Sequence, residues 1–281
     1  MDQARIGEQE PQEEMSFIDH LEELRWHIIR ALASILIFGT IAFLAKGFVF
    51  HDIILAPSRT DFLSYRLMCE LGEKIGSSAL CITDMGFTIQ SRQMSGQFAM
   101  HLLVSAILGL ACAFPYAFWE IWRFISPGLY PNERKSSRGA VFFVSVLFIL
   151  GLLFGYYVVS PISINFLAGY QVDPTILNEF DLSSYISTLT TLCLSCAFMF
   201  EMPVIVYFFT KAGILSPELM KLYRRHAIIV ILVISAIITP PDVISQILIA
   251  LPLTLLYEIS ISVSRSIRNA DLKRLNENNT I

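Results

Sequence analysis

Charge is what this sequence has least of. Only 16% of its 281 residues are Asp, Glu, Lys or Arg, against 54% hydrophobic, where a soluble domain of this size is about a quarter charged. The shortage is uneven. Charges crowd into short segments and leave long stretches almost free of them, the pattern of a polytopic membrane protein. Basic residues are scarcer still at the start, where residues 1–24 hold eight carboxylates and Arg5 alone. Nothing there reads as a cleavable secretory signal, which needs a basic region followed at once by an apolar core. This tail carries −7, which leaves +3 for the rest of a chain whose net charge is −4.

Other absences narrow the function. There is no Gly-rich phosphate loop, nucleophile-elbow serine or clustered catalytic triad, so an enzyme or an ATP-driven machine has little support and no cofactor is expected. Aromatic and basic residues are not interleaved as nucleic-acid binding requires. The five cysteines do not make a metal or disulfide framework by count. Cys69 and Cys81 fall in a hydrophilic loop, residues 47–96, and could pair if that loop faces an oxidising compartment. Cys193 and Cys196 spell C-x-x-C inside an apolar stretch, where they read as packing residues rather than a redox pair.

What is present is a series of apolar runs. Residues 16–30 place Phe17, Leu21, Leu24 and Ile28 on one helical face, which predicts an amphipathic surface helix leading into a first span from about Trp26 to Lys46. Further spans are expected over Phe98–Trp119, over Gly139–Ser160 with Pro161 closing it, and over Leu182–Thr210. Two short runs, His226–Thr239 and Val243 to about Val263, follow, joined by Pro240, Pro241 and Asp242. The fifth run covers only about 21 Å of the roughly 30 Å hydrocarbon thickness, so the bilayer thins there, the helix borrows flanking residues, or the pair forms a re-entrant hairpin. The expected fold is an all-α integral membrane protein of six transmembrane helices, the last two short. Counting Lys and Arg gives fifteen on the side of the termini and five on the other, which makes both termini cytoplasmic. The expected organisation is an acidic tail over 1–15, a membrane domain over 16–265 and a C-terminal tail over 266–281.

Glu201 is the residue this topology makes expensive. It falls well inside the fourth span, where an ionised carboxylate costs several kcal/mol unless paired, hydrated or protonated. Pro203 removes a backbone donor two residues on and should bend the helix into a polar notch. Gln246 and Glu258 are further polar groups in apolar surroundings, and Gln246 is equally readable as an interhelical hydrogen bond. His20, Glu23 and His27 share a helical face at a spacing suited to zinc, but no fourth ligand accompanies them and no metal is expected.

In order along the chain, HLEELR (20–25), Ala56-Pro57, WRFISPGLYPNERK (122–135), FEMPV (200–204) and TPPDVISQ (239–246) resemble the TatC subunit of the twin-arginine protein translocase. The resemblance implies a cup-shaped receptor in the cytoplasmic (inner) membrane that binds signal peptides with two consecutive arginines on folded cargo. It further implies single-span TatA and TatB partners, homo-oligomers in the assembled complex, and transport driven by the proton-motive force. It maps the arginine-binding carboxylates to Glu23 and Glu133, with Arg25, Phe124, Arg134 and Pro57 at other important positions. It maps the intramembrane polar site to Glu201 and Gln246. Departures are Lys135 where a second Arg often follows Glu133, a long first external loop, and an extended acidic tail. Two other classes compete: an ion-coupled small-molecule transporter with Glu201 as its titrating group, disfavoured because no internal repeat is visible, and a scaffold in which Glu23 and Glu133 are ordinary surface.

Overall fold

The computed structural model describes residues 17–76, 81–82, 84–125, 137–173, 175–176, 178–239 and 243–278. The tail expected over 1–15 lies outside them. Helix α1 (Phe17–Leu44) carries no proline and only one glycine, so nothing divides the amphipathic segment from the span. It is followed by tight turns, including a π-helical turn over Val49–Ile54 and a 3-10 turn over Ala56–Ser58, and then by α2 (Leu63–Ile75). Strand β1 (Thr88–Gln90) precedes α3 (Gly96–Ile125). Next come α4 (Ser137–Phe154), a π-helical turn over Gly155–Val159, and α5 (Ser160–Gly169). Strand β2 (Glu179–Asp181) leads into α6 (Leu182–Met199), α7 (Met202–Lys211), the short α8 (Pro217–Leu222), α9 (Arg224–Ile238) and α10 (Val243–Asn278).

Among the described residues, five helical stretches are long and apolar enough to cross a membrane: Glu22–Leu44, Gly96–Ile125, Val141–Gly169, Leu182–Lys211 and Ser245–Ala270. Their outer surfaces stay exposed and apolar, as at Leu36, Phe142 and Leu251, which is the surface hydrocarbon requires. The protein is an all-α, multi-pass membrane protein. Helix α9, at 15 residues, is the short fifth element that the sequence predicts. The last helix is not short: it runs 36 residues, because the polar continuation after Val263 contains neither glycine nor proline and the helix persists beyond its apolar part into the segment expected as a tail.

Glycine sets the closest approaches. A Cβ on Gly109 in α3 would lie 2.7 Å from both Cα and N of Gly39 in α1, so these two backbones touch and any side chain at 109 pushes them apart. Helices in lipid gain little from apolar burial against one another and rely on such close packing. A Cβ on Gly155 would meet Cα of Cys193 at 2.8 Å, and one on Gly151 the carbonyl oxygen of Cys196 at 2.6 Å. The C-x-x-C pair therefore lies where α6 meets the third span, and Cys196 is buried.

The expectation that Pro161 closes the third span is corrected. The helix continues through it as α5, because the missing donor is replaced from outside. Pro161 leaves the carbonyl of Tyr157 without its helical partner, and the Ser64 hydroxyl of α2 donates to that carbonyl. The Tyr65 hydroxyl donates at 3.0 Å to the carbonyls of Pro161 and Pro57, and the Tyr65 side chain is almost fully buried. Burial raises the Tyr65 pKa above the ordinary phenol value, keeping it a donor.

The bend expected at Pro203 is instead a break in the helix. Helix α6 ends at Met199, α7 starts at Met202, and the Glu201 N–H bonds the carbonyl of Phe198 in a tightened turn.

On the loop side, β1 pairs in parallel with β2, a small exception to the all-α expectation that ties the first loop to the start of α6. Arg92 clamps this pairing through its N–H to Asp181 at 3.2 Å and its guanidinium to Glu179 at 3.4 Å. Hydrogen bonds from Ser183 and from the Arg92 backbone hold the Asp181 carboxyl below the usual carboxylate range. Cys69 and Cys81 form a disulfide, which requires that side to be oxidising. Cys112, Cys193 and Cys196 are free. Alkylating the denatured, unreduced protein from its native membrane should therefore add three adducts and alkylation after reduction five, read by intact mass. Five adducts without reduction would remove the bridge.

Candidate functional site: a carboxylate face built on a buried His27–Glu120 pair

At the end of the bundle where α1 begins and α3 ends, two residues buried to about 5% exposure or less make a short polar contact between spans. His27 Nδ1 donates to Glu120 Oε2 at 2.5 Å, while the Tyr116 hydroxyl donates to Glu120 Oε1 at 2.9 Å. Arg30 Nη1 stands 3.7 Å from the same carboxylate. Tyr116 and Glu120 are four residues apart on α3, and His27 and Arg30 are three apart on α1, so helical spacing alone delivers both pairs to one point. Glu120 thus has a donor on each oxygen and a cation nearby. It is satisfied, and it fixes the register of α1 against α3.

Glu23 lies one turn before His27 and is presented quite differently. Its side chain is 42% exposed, and its Oε1 is 3.9 Å from His27 Nε2, too far for a hydrogen bond. Arg25, one position from Leu24 and two from Glu23, is exposed. Phe124 is part-exposed, with its ring 6.3 Å from that of His27, so it borders the same surface. Trp122 packs 4.8 Å from Phe208 and joins this face to the end of α7. Nearby, Arg224 pairs with Glu258 at 2.5 Å, Arg268 pairs with Glu218, and the Tyr257 hydroxyl donates to the carbonyl of Met220 at 2.8 Å. These contacts fix α8 and α9 on α10.

The other expected residues divide clearly. Glu133, Arg134, Pro240, Pro241 and Asp242 lie outside the described residues. Pro57 is fully buried, its carbonyl held by Tyr65. Gln246 makes the interhelical bond, donating from Nε2 to the Leu232 carbonyl at 3.1 Å. Glu201 does not face an open notch in this structure: it is 8% exposed, and neither carboxylate oxygen has a hydrogen-bond partner among the described residues. The half-open apolar groove of about 430 Å³ between the spans is lined by residues such as Asp52, Tyr156 and Leu189, without Glu201. His27, which the spacing offered as a zinc ligand, spends Nδ1 on Glu120. Cys69, Glu73 and Cys81 come together at ligand distance, but their sulfurs are joined in the disulfide.

Glu120 and Tyr116 were not singled out by sequence reasoning. The second span was expected to stop at Trp119, which assigned Glu120 to a polar connection. A carboxylate four residues after a tyrosine, inside the aromatic run FPYAFWEIW, was the available signal.

Comparison with known proteins identifies the family of the chain. The family model described as Sec-independent protein translocase protein (TatC) matches residues 19–252. The chain belongs to the TatC family. The TatC protein of Blattabacterium sp. subsp. Periplaneta americana is 39% identical over 253 residues, covering 89% of this chain and 95% of that protein. TatCy of Bacillus subtilis is 30% identical over 253 residues, 90% of each. Two crystal structures of the twin arginine translocase receptor TatC, one of them in DDM, superpose with TM-scores of 0.64 and 0.68. Both are 30% identical to this chain, covering 88% and 87% of it and 98% and 99% of those chains. TatC proteins are components of a protein translocase, so this chain is a translocase component and a multi-pass membrane protein.

The His27–Glu120 pair should carry the stability of this face. Removing one member of a buried, bonded pair costs about 3 kcal/mol, so His27→Ala should lower the unfolding midpoint in detergent clearly. Glu23→Ala, at an exposed and loosely paired site, should shift it by no more than about 0.5 kcal/mol. Equal shifts for the two would contradict the assignment of anchor and free carboxylate.

Proposed function

We propose that this chain is the signal-peptide receptor and core component of a twin-arginine translocase. On this reading it sits in the cytoplasmic (inner) membrane with both termini cytoplasmic. Six helices cross, α9 being the short fifth, and they form a cup. The carboxylates of Glu23 and Glu133 each take one guanidinium of the Arg-Arg motif on a folded cargo precursor, with Arg25, Phe124 and Arg134 bordering the site. The observation that carries this is the contrast at the start of α1, where Glu23 projects half-exposed and, among the described residues, only loosely paired from a face anchored by a Glu120 bonded on both oxygens. A carboxylate held on a rigid helix face without a strong partner suits a planar cation from another chain. The description of the two solved relatives as twin arginine translocase receptors supports the same reading.

Each guanidinium–carboxylate bond is worth about 1.5–3 kcal/mol. Glu23→Ala or Glu133→Ala should therefore weaken binding of a twin-arginine peptide to the detergent-purified protein roughly ten- to a hundredfold. A Lys-Lys counterpart should bind more weakly than Arg-Arg because a point charge replaces a planar fork. Equal affinity of the two peptides would sink the receptor site.

Glu201 is assigned to the single-span TatA- and TatB-type partners, whose association drives on the proton-motive force the assembly that passes the cargo. A polar residue on a partner helix would supply the donor that Glu201 lacks among the described residues. Because the carboxylate is enclosed, α6 and α7 must part at the Phe200–Glu201 break to admit that helix. Site-specific crosslinking should show Glu201→Ala losing partner association while twin-arginine peptide affinity stays unchanged. Unaltered crosslinks to both partners would remove Glu201 from this role. The assembled complex is expected to hold several copies of this chain.

A further inference from the structure

We infer that α2 is an interfacial membrane anchor, lying in the bilayer surface on the disulfide side with its leucine face in lipid. Three faces of this helix are distinct. Tyr65 and Gly72 are buried against the protein and Cys69 is part-buried. Leu63, Leu67, Leu71 and Ile75 recur every fourth residue and are 45%, 49%, 54% and 74% exposed. Helical steps put them in one arc of about 120°. Arg66, Glu70 and Glu73 form the adjoining arc, all exposed. Lys74 falls within the apolar arc, and its long stem lets the ammonium reach the polar boundary. A helix with one face on protein, one apolar and one charged fits the plane between hydrocarbon and water.

The depth of its attachment names the occupant of the apolar face. Ser64 bonds the carbonyl of Tyr157, Tyr65 bonds that of Pro161, and the Phe62 ring stacks on Tyr157 at 5.6 Å. Val141, Tyr157 and Pro161 belong to one span. Tyr157 lies about 24 Å and Pro161 about 30 Å along it from Val141, against a hydrocarbon thickness of about 30 Å. The start of α2 is therefore docked at the far edge of the hydrocarbon. Its exposed leucines continue the lipid-facing surface on which Tyr157 is itself 38% exposed. The Cys69–Cys81 bridge ties the part-buried face of the helix to residue 81. The inference does not depend on the signal-peptide reading.

A benzophenone amino acid placed at Leu67 or Leu71 tests it, with the same probe at Glu70 as the water-facing control. Both leucines are exposed, so the replacements should leave the fold intact. In phosphatidylethanolamine–phosphatidylglycerol vesicles, irradiation should shift the mass of the 67 and 71 variants by one phospholipid and leave the Glu70 variant unshifted. Adducts to a second copy of this chain at 67 and 71, equal lipid labelling at all three positions, or no adduct at 67 and 71 would each overturn the inference.

Discussion

Hydrocarbon offers no water to a broken backbone, so every interruption in a spanning helix must find its hydrogen-bond partner within the protein. This chain interrupts its helices repeatedly near the disulfide side, and hydroxyl groups answer. Tyr156 donates to the carbonyl of Ile53 at 2.7 Å and Tyr185 to that of Ile54 at 2.8 Å. Both acceptors belong to the π-helical turn after α1. Ser64 and Tyr65 do the same for the proline-interrupted third span. Each of these bonds joins segments remote in sequence. Satisfying the backbone and assembling the bundle are thus one process, and the long first loop is a structural part of the membrane domain.

That coupling explains which parts of the fold were legible in the sequence. Five of the six expected spans were, because hydropathy reports directly on the solvent a segment needs, and some of their boundaries erred where helix propensity outlasted hydrophobicity, as in α10 and at Ile125. Pro161 was misread as a terminator because the compensating hydroxyl is 97 residues away, and no local pattern announces it. The C-x-x-C pair was read correctly as packing. Its reason, the close approach of Gly151 and Gly155, is a tertiary fact. At the site, Glu23 and Glu201 stood out by position and family resemblance. Glu120 did not, since its meaning depends on His27 across the helix interface.

Three carboxylates, differing mainly in surroundings, now occupy three physical states. Glu120 is buried and bonded on both oxygens, so it serves as structure. Glu23 is half-exposed on a rigid helix face, and on the proposed reading a guanidinium replaces its water, with selectivity set by geometry. Glu201 is enclosed, and neither of its oxygens meets the geometry of a hydrogen bond with a described residue. Chemistry common to all three is divided by the helix ends, the proline break and the packing around each.

The enclosed state has a mechanical consequence. An unmet acceptor in a bonded core raises the free energy of the closed arrangement by about 1–3 kcal/mol, and this one sits at the break between α6 and α7. Interhelical hydrogen bonds in membranes are individually modest, about 0.6 kcal/mol on average, because alternative partners exist. A site whose closed form has no partner to give up keeps the full benefit of a new donor, while one already bonded must exchange a bond for a bond. Gln246, engaged with the Leu232 carbonyl, is of the second kind. On the proposed reading, Glu201 rather than Gln246 therefore has the larger free-energy difference to offer a partner helix, and the adjacent break between α6 and α7 is where that helix would enter.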